Sequence, residues 1–396
     1  MNRALLTFFS LALAATVACG GGGGHGSGPK NAAELPPANP EAVAKMVQGV
    51  QAAKEPKGTE RAIALLKEAV TIDPNLWEAH FDLGVVLAGS GETKAAEASL
   101  ERAFKLAPAQ EDVAVALAEV QRRRGSSKDA ADTLGEFVKA HPDADGARTL
   151  FITVLRDSGQ VDRAIKEARE VLARRSGNAA ALSELALCHL AKGERDTAEL
   201  LAKQASDVDP KSAVAHRTMG MVLLARGDDA LAFQSFQTAS KEDPKDTTAR
   251  LNMGTVLLKA GAYAKAEEQY RAILAVSKED SAAEVGLAAA VRGQADAKAK
   301  NKLDEAKAIL ERVLGREPHN VAALYNMGVL YADFLKRPAE AKGYFEKYLS
   351  DAPDNDPARS EAQKYMTMLN ASSKVEAPPQ PPPPPPDKTP PAKGGK

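Results

Sequence analysis

The residues that could do chemistry in this chain are six histidines, two cysteines and a large set of carboxylates, and their spacing argues against catalysis. His25, His80, His141, His189, His216 and His319 are scattered. None forms an H-E-x-x-H pair, and none stands at metal-ligand spacing from Cys188, so no metal site is expected. No Walker-type phosphate loop, G-x-S-x-G elbow or dinucleotide fingerprint occurs. The glycine run at residues 20–24 has no strand before it and no helix after it, so it reads as a tether rather than a phosphate cradle. Cys188 lies mid-helix beside Leu187 and Leu190, where a free thiol behaves as a small buried hydrophobe. No catalytic residue, cofactor or small-molecule substrate is expected. Basic and acidic residues nearly cancel to a net charge of −1, which offers nucleic acid no general basic field.

The elements behind these residues repeat. Pro74, Pro108, Pro142, Pro210 and Pro244 are spaced by 34 residues or twice that, and Ser176 stands where the missing proline would fall. Ala62, Ala96, Ala130, Ala164, Ala198, Ala232 and Ala266 keep the same period, as do Gly91, Gly125, Gly159, Gly193, Gly227 and Gly261. Self-similarity at such a period marks a stacked array. Within one unit, apolar residues from Leu76 to Ala88 return every three or four positions, which predicts an amphipathic helix. Gly91 is placed to end it in a left-handed turn, and Thr93 is placed to cap a second helix. That helix runs to about Leu106, with Pro108 stopping it. Gly84 and Ala96 are small where the two helices must approach, and Ala103 where the next unit packs. One hairpin cannot bury its own apolar face, so neighbours must stack.

The Gly84, Ala96, Ala103 and Pro108 spacing resembles the consensus small residues and terminal proline of the tetratricopeptide repeat family, whose Leu-Gly pair is matched by Met219-Gly220 and Met253-Gly254. The resemblance implies an all-α, right-handed α-solenoid of about nine helical hairpins over residues 42–353, followed by a capping helix over 354–374. Extra residues are expected in the first hairpin loop, around 295–302 and near Pro338. In this family the first helix of each unit lines a groove for peptides or partner helices. Its groove positions correspond here to Phe81, Val115, Arg122, Arg156, Arg217, Leu224, Leu251 and Tyr325, each of which could instead cover a neighbouring helix. Arginines among them could grip carboxylates, and as surface residues Arg156 and Arg217 should matter little to stability. Asn252 and Asn326 match one position of the subfamily that clamps C-terminal carboxylates, but its lysines are absent, which argues against that use. Arg122, Arg123 and Arg124 read as a solvated helix end complementing the dipole.

The two ends differ in kind. Arg3 followed by an apolar run at residues 4–18 reads as a secretory signal peptide over 1–18, too short for a comfortable membrane span. Thr16-Val17-Ala18-Cys19 resembles a bacterial lipobox, with Cys19 as the lipid attachment point and residues 19–41 as a flexible tether. Ordinary cleavage after Ala18 is the alternative. Gly20 after the cysteine implies the outer membrane. Residues 375–396 hold ten prolines and read as polyproline II: a spacer, an arm toward the cell wall, or a ligand for a proline-reading surface. Together these features resemble outer-membrane lipoproteins of gliding-motility, pilus and secretin assembly. They lead to the expectation of a lipid-anchored periplasmic scaffold binding envelope proteins, or else a regulator of a peptidoglycan hydrolase or synthase.

Overall fold

The computed structural model describes residues 37–295, 301–354 and 356–375. The expected signal peptide, Cys19, most of the tether, the proline-rich tail and the heart of the expected insertion near 295–302 lie outside the described residues. Every regular element among the described residues is helical. The chain divides into two compact units, one ending at Asp280 and one beginning at Ser281.

The first unit holds seven antiparallel hairpins. Their first helices are α1 (Pro40–Lys54), α3 (Trp77–Ser90), α5 (Glu111–Arg123), α7 (Asp145–Asp157), α9 (Ala179–Ala191), α11 (Ala213–Arg226) and α13 (Thr247–Lys259). Their second helices are α2 (Thr59–Ile72), α4 (Thr93–Leu106), α6 (Ser127–Ala140), α8 (Val161–Arg174), α10 (Arg195–Val208), α12 (Asp229–Glu242) and α14 (Tyr263–Val276). The second unit pairs α15 (Ser281–Gly293) with α16 (Asn301–Arg316), and α17 (Val321–Val329) with α18 (Pro338–Asp351). It ends in α19 (Arg359–Val375), which packs on α18.

Local chemistry explains the starts and stops. Several first helices are capped by a side chain: Asn39, Asn178, Ser212, Asp246 and Asn320 each accept a backbone N–H of the following turn. The six loop glycines from Gly91 to Gly261 all have φ between 70° and 91°, a left-handed conformation that glycine adopts without a Cβ clash. The expectation for Thr93 fails. It is the first residue inside α4, and Glu92 occupies the cap position without a side-chain bond. The loop after Gly91 is one residue tighter than the cap reading assumed.

Packing inside five of the nine hairpins sets a large side chain against a glycine gap. A Cβ built on Gly84 would lie 2.5 Å from Leu100, and one on Gly220, Gly254 or Gly328 would lie 2.5–2.6 Å from the ring of Phe236, Tyr270 or Phe345. Those large side chains are essentially fully buried, each contributing roughly 1.5–3 kcal/mol of apolar transfer. The partner follows the glycine by one more residue in the first hairpin (Gly49 and Leu66) and in the ninth (Gly328 and Phe345), the two with a longer loop. In the ninth hairpin the excess is taken up by a π-helical turn over Leu330–Phe334 and by Lys336 at a φ of 55°. The seven periodic alanines from Ala62 to Ala266 are all fully buried, so helix backbones meet there.

Candidate partner-binding face

The eight residues matched to the groove all fall on first helices, and all eight are half-buried. In the first unit, α1, α3, α5, α7, α9 and α11 contact one another in succession, so their side chains form one continuous face. Phe81 packs on the cluster around Leu83 and Leu100, Val115 on that around Leu134 and Phe151, and Leu224 on that around Phe236. Leu251 is half-buried on α13. Tyr325 belongs to the second unit, against Phe345 and Tyr348.

The arginines are already engaged. Arg122 lies 2.8 Å from Glu119 and 4.0 Å from Asp157, while Arg156 lies 3.1 Å from Asp157 and 3.3 Å from Glu184. Glu119, Arg122, Asp157, Arg156 and Glu184 therefore make one ion-pair chain across α5, α7 and α9. Arg217 pairs with Asp246, the acid that caps α13. Arg156 and Arg217 thus brace neighbouring hairpins, which changes the expectation that both are silent for stability. The basic triplet is likewise not a simply solvated end. Arg123 donates to the carbonyl of Ala88 at 3.4 Å, and Arg124 pairs with the buried Glu97.

Burial raises three carboxyls of this face. It pushes the Glu184 carboxyl up, opposed by Arg156 and by a hydrogen bond from Thr153. On α3, burial and the neighbouring Glu78 push Asp82 up to about 7, opposed by Lys54. Burial also raises Glu78. The hydrogen bond to Glu119 holds Arg122 above its ordinary value. Sequence reasoning missed Asp82, Glu119, Asp157 and Glu184. The available signal was an offset of 28 residues, which joins Lys54 to Asp82 and Arg156 to Glu184.

No three metal-ligating side chains cluster among the described residues. Burial raises the Cys188 thiol to about 12, where it is no nucleophile at neutral pH. The surface depressions are open; one of about 540 Å³ is walled by Arg217, Asp243 and Asp246 at a junction between hairpins.

Stacked helical hairpins with a half-buried first-helix face define a repeat scaffold, a class typically without catalysis. Profiles described as tetratricopeptide repeat match residues 155–221, 223–290 and 297–363, with further matches at 97–175 and 58–111. The chain belongs to the tetratricopeptide repeat family. Among solved structures, the APC/C hetero-tetramer Cut9-Hcn1 is similar at 16% identity and a TM-score of 0.56, covering 84% of this chain and 70% of that one. A tetratricopeptide repeat protein from Parabacteroides merdae matches at 16% identity and a TM-score of 0.45, covering 74% and 98%. YrrB, described as a TPR protein with an unusual peptide-binding site, matches at 20% identity and a TM-score of 0.38, covering 52% and 97%. At these identities the likeness concerns the fold. A search of curated proteins finds no match.

Proposed function

We propose that this chain is an outer-membrane-anchored, periplasmic scaffold that holds protein partners of an envelope machine, one of gliding motility or of type IV pilus and secretin assembly. The family supports a protein-binding role. The signal-like start and Cys19 support the anchor. One observation carries the reading of the site: Phe81, Val115, Leu224 and Leu251 stay half-buried on first helices of one unit, beside an ion-pair chain whose carboxylates remain partly accessible. Half-exposed apolar side chains rimmed by charge suit a protein partner better than a small molecule.

Two measurements test this. Palmitate labelling should mark the wild type and leave Cys19→Ser unlabelled; absence of label in both would remove the anchor. Photo-crosslinkers at Phe81 and Leu251 in living cells should capture envelope proteins, unlike a crosslinker at Leu200 on the exposed side of α10. Equal capture from all three sites would remove the face.

A further inference from the structure

The second unit carries a different kind of surface. Five of the seven tyrosines lie beyond Ser281, and two of them meet on a small composite patch. Phe334, at the end of the π-helical turn, is 38% exposed, and the Arg292 guanidinium sits 5.4 Å from its ring centroid. The Tyr365 ring of α19 stacks on Phe345 at 4.8 Å, and its hydroxyl donates to Asp333 at 2.5 Å. Tyr325 stands 6.0 Å edge-on to that same Phe345, with its hydroxyl bonded to Glu361. Asp333 and Glu361 are both exposed. Each therefore keeps acceptor capacity beyond its tyrosine, since a carboxylate has about four lone-pair sites. Aromatic faces edged by carboxylates are chemically suited to a rigid proline helix bearing lysines. The rings pack on the prolines, the helix loses little entropy on binding, and the acids meet the cations.

The chain contains a segment of that composition directly after α19. Residues 376–396 carry prolines at 378 and 379, six more in a row at 381–386, two at 390 and 391, and Lys388, Lys393 and Lys396. Tyr365 lies ten residues before Val375, or ~15 Å along the helix axis. A polyproline segment of about twenty residues reaches ~65 Å, ample to turn at the end of α19 and run back over the patch. Tethering also supplies a local concentration on the order of millimolar, so even a weak contact would be occupied.

We propose that Tyr325, Phe334 and Tyr365, with Asp333 and Glu361, form a proline-reading surface whose occupant is the chain's own segment 376–396.

The test uses the full-length chain with Phe334→p-benzoylphenylalanine, irradiated and read by peptide mass spectrometry. Crosslinks should land within residues 378–393 of the same chain. Their yield should be constant between ~1 and ~50 µM protein and should fall at least about fivefold when the prolines at 381–386 become serines, or when Asp333→Lys and Glu361→Lys are combined. A photo-crosslinker at Leu200 reports chance collision. Crosslinks confined to neighbouring helices, or a yield indifferent to the proline change, would overturn the proposal. So would chain-to-chain adducts that grow with concentration, since a second copy would then be the occupant.

Discussion

Arg156 on α7 and Glu184 on α9 form an ion pair at 3.3 Å, with side chains only 19% and 12% exposed. Lys54 on α1 and Asp82 on α3 make a comparable pairing three repeats earlier, with Lys54 one residue further along its helix because of the extra residue in the first hairpin; there Lys54 acts electrostatically on a carboxyl that burial has raised. In both places the end of one first helix supplies the cation and the middle of the next supplies the acid. Removing Arg156 leaves Glu184 buried beside Asp157 without its cation. Arg156→Leu should therefore cost about 1–3 kcal/mol. The cost should be greatest at alkaline pH. A carboxyl raised in the fold loses stability as pH climbs through its folded value, and the variant raises Glu184 further. Urea melts of wild type and variant at pH 5 and pH 8 check this; an equal loss at both would count against it.

Asp82 gives the cleaner pH experiment. Its folded value near 7 lies above the ordinary 3.8, so the folded state holds a proton that the unfolded chain releases. Between those values stability falls as pH rises, and above about 7 the full penalty applies. Asp82→Asn removes it. The variant should match wild type near pH 4 and exceed it by roughly 1–3 kcal/mol at pH 8. A variant that is less stable at pH 8 would show that the Lys54 attraction outweighs burial.

Two glycine-to-alanine changes should have opposite signs. Gly254→Ala drives a methyl to 2.6 Å from the buried Tyr270 ring and should cost about 1–3 kcal/mol. Gly89, late in α3, has nothing within 4 Å of a built Cβ, so Gly89→Ala should gain about 0.5–1 kcal/mol from helix propensity alone. Ala96→Leu joins the first class, because Ala96 is fully buried against α3. Thermal melts rank all three.

Cys188 should resist alkylation in the native protein, since burial both hides the thiol and raises it to about 12. In a Cys19→Ser background its labelling at pH 8 should be slow and should accelerate with urea at the unfolding midpoint of the fifth hairpin. Rapid labelling without denaturant would mean that α9 opens readily.

The repeat itself was legible because most hairpins use the same small residue, loop glycine and terminal proline, and such backbone demands recur at a fixed spacing. What a single unit could not reveal was which side chain answers which across a junction. Arg156 reads as a free cation until α9 is laid beside α7 and brings Glu184 to it. Arg217 is the same case, since its partner Asp246 looks like a cap alone and serves both ends. The π-helical turn was hidden for another reason. One surplus residue near Pro338 was visible, but whether it lengthens the loop or widens the helix depends on how Phe345 seats against Gly328.

Three outward ion pairs on the first unit repeat as a series: Lys192 with Asp162, Arg226 with Asp196, and Lys259 with Asp229. Each ties the end of one first helix to the start of the second helix before it. Their exposed groups contribute little to folding, ~0.2–1 kcal/mol apiece, yet each spans a junction between hairpins. These exposed pairs are screened by salt while the apolar packing beneath them is not, so raising salt should loosen the junctions under load well before the stack melts.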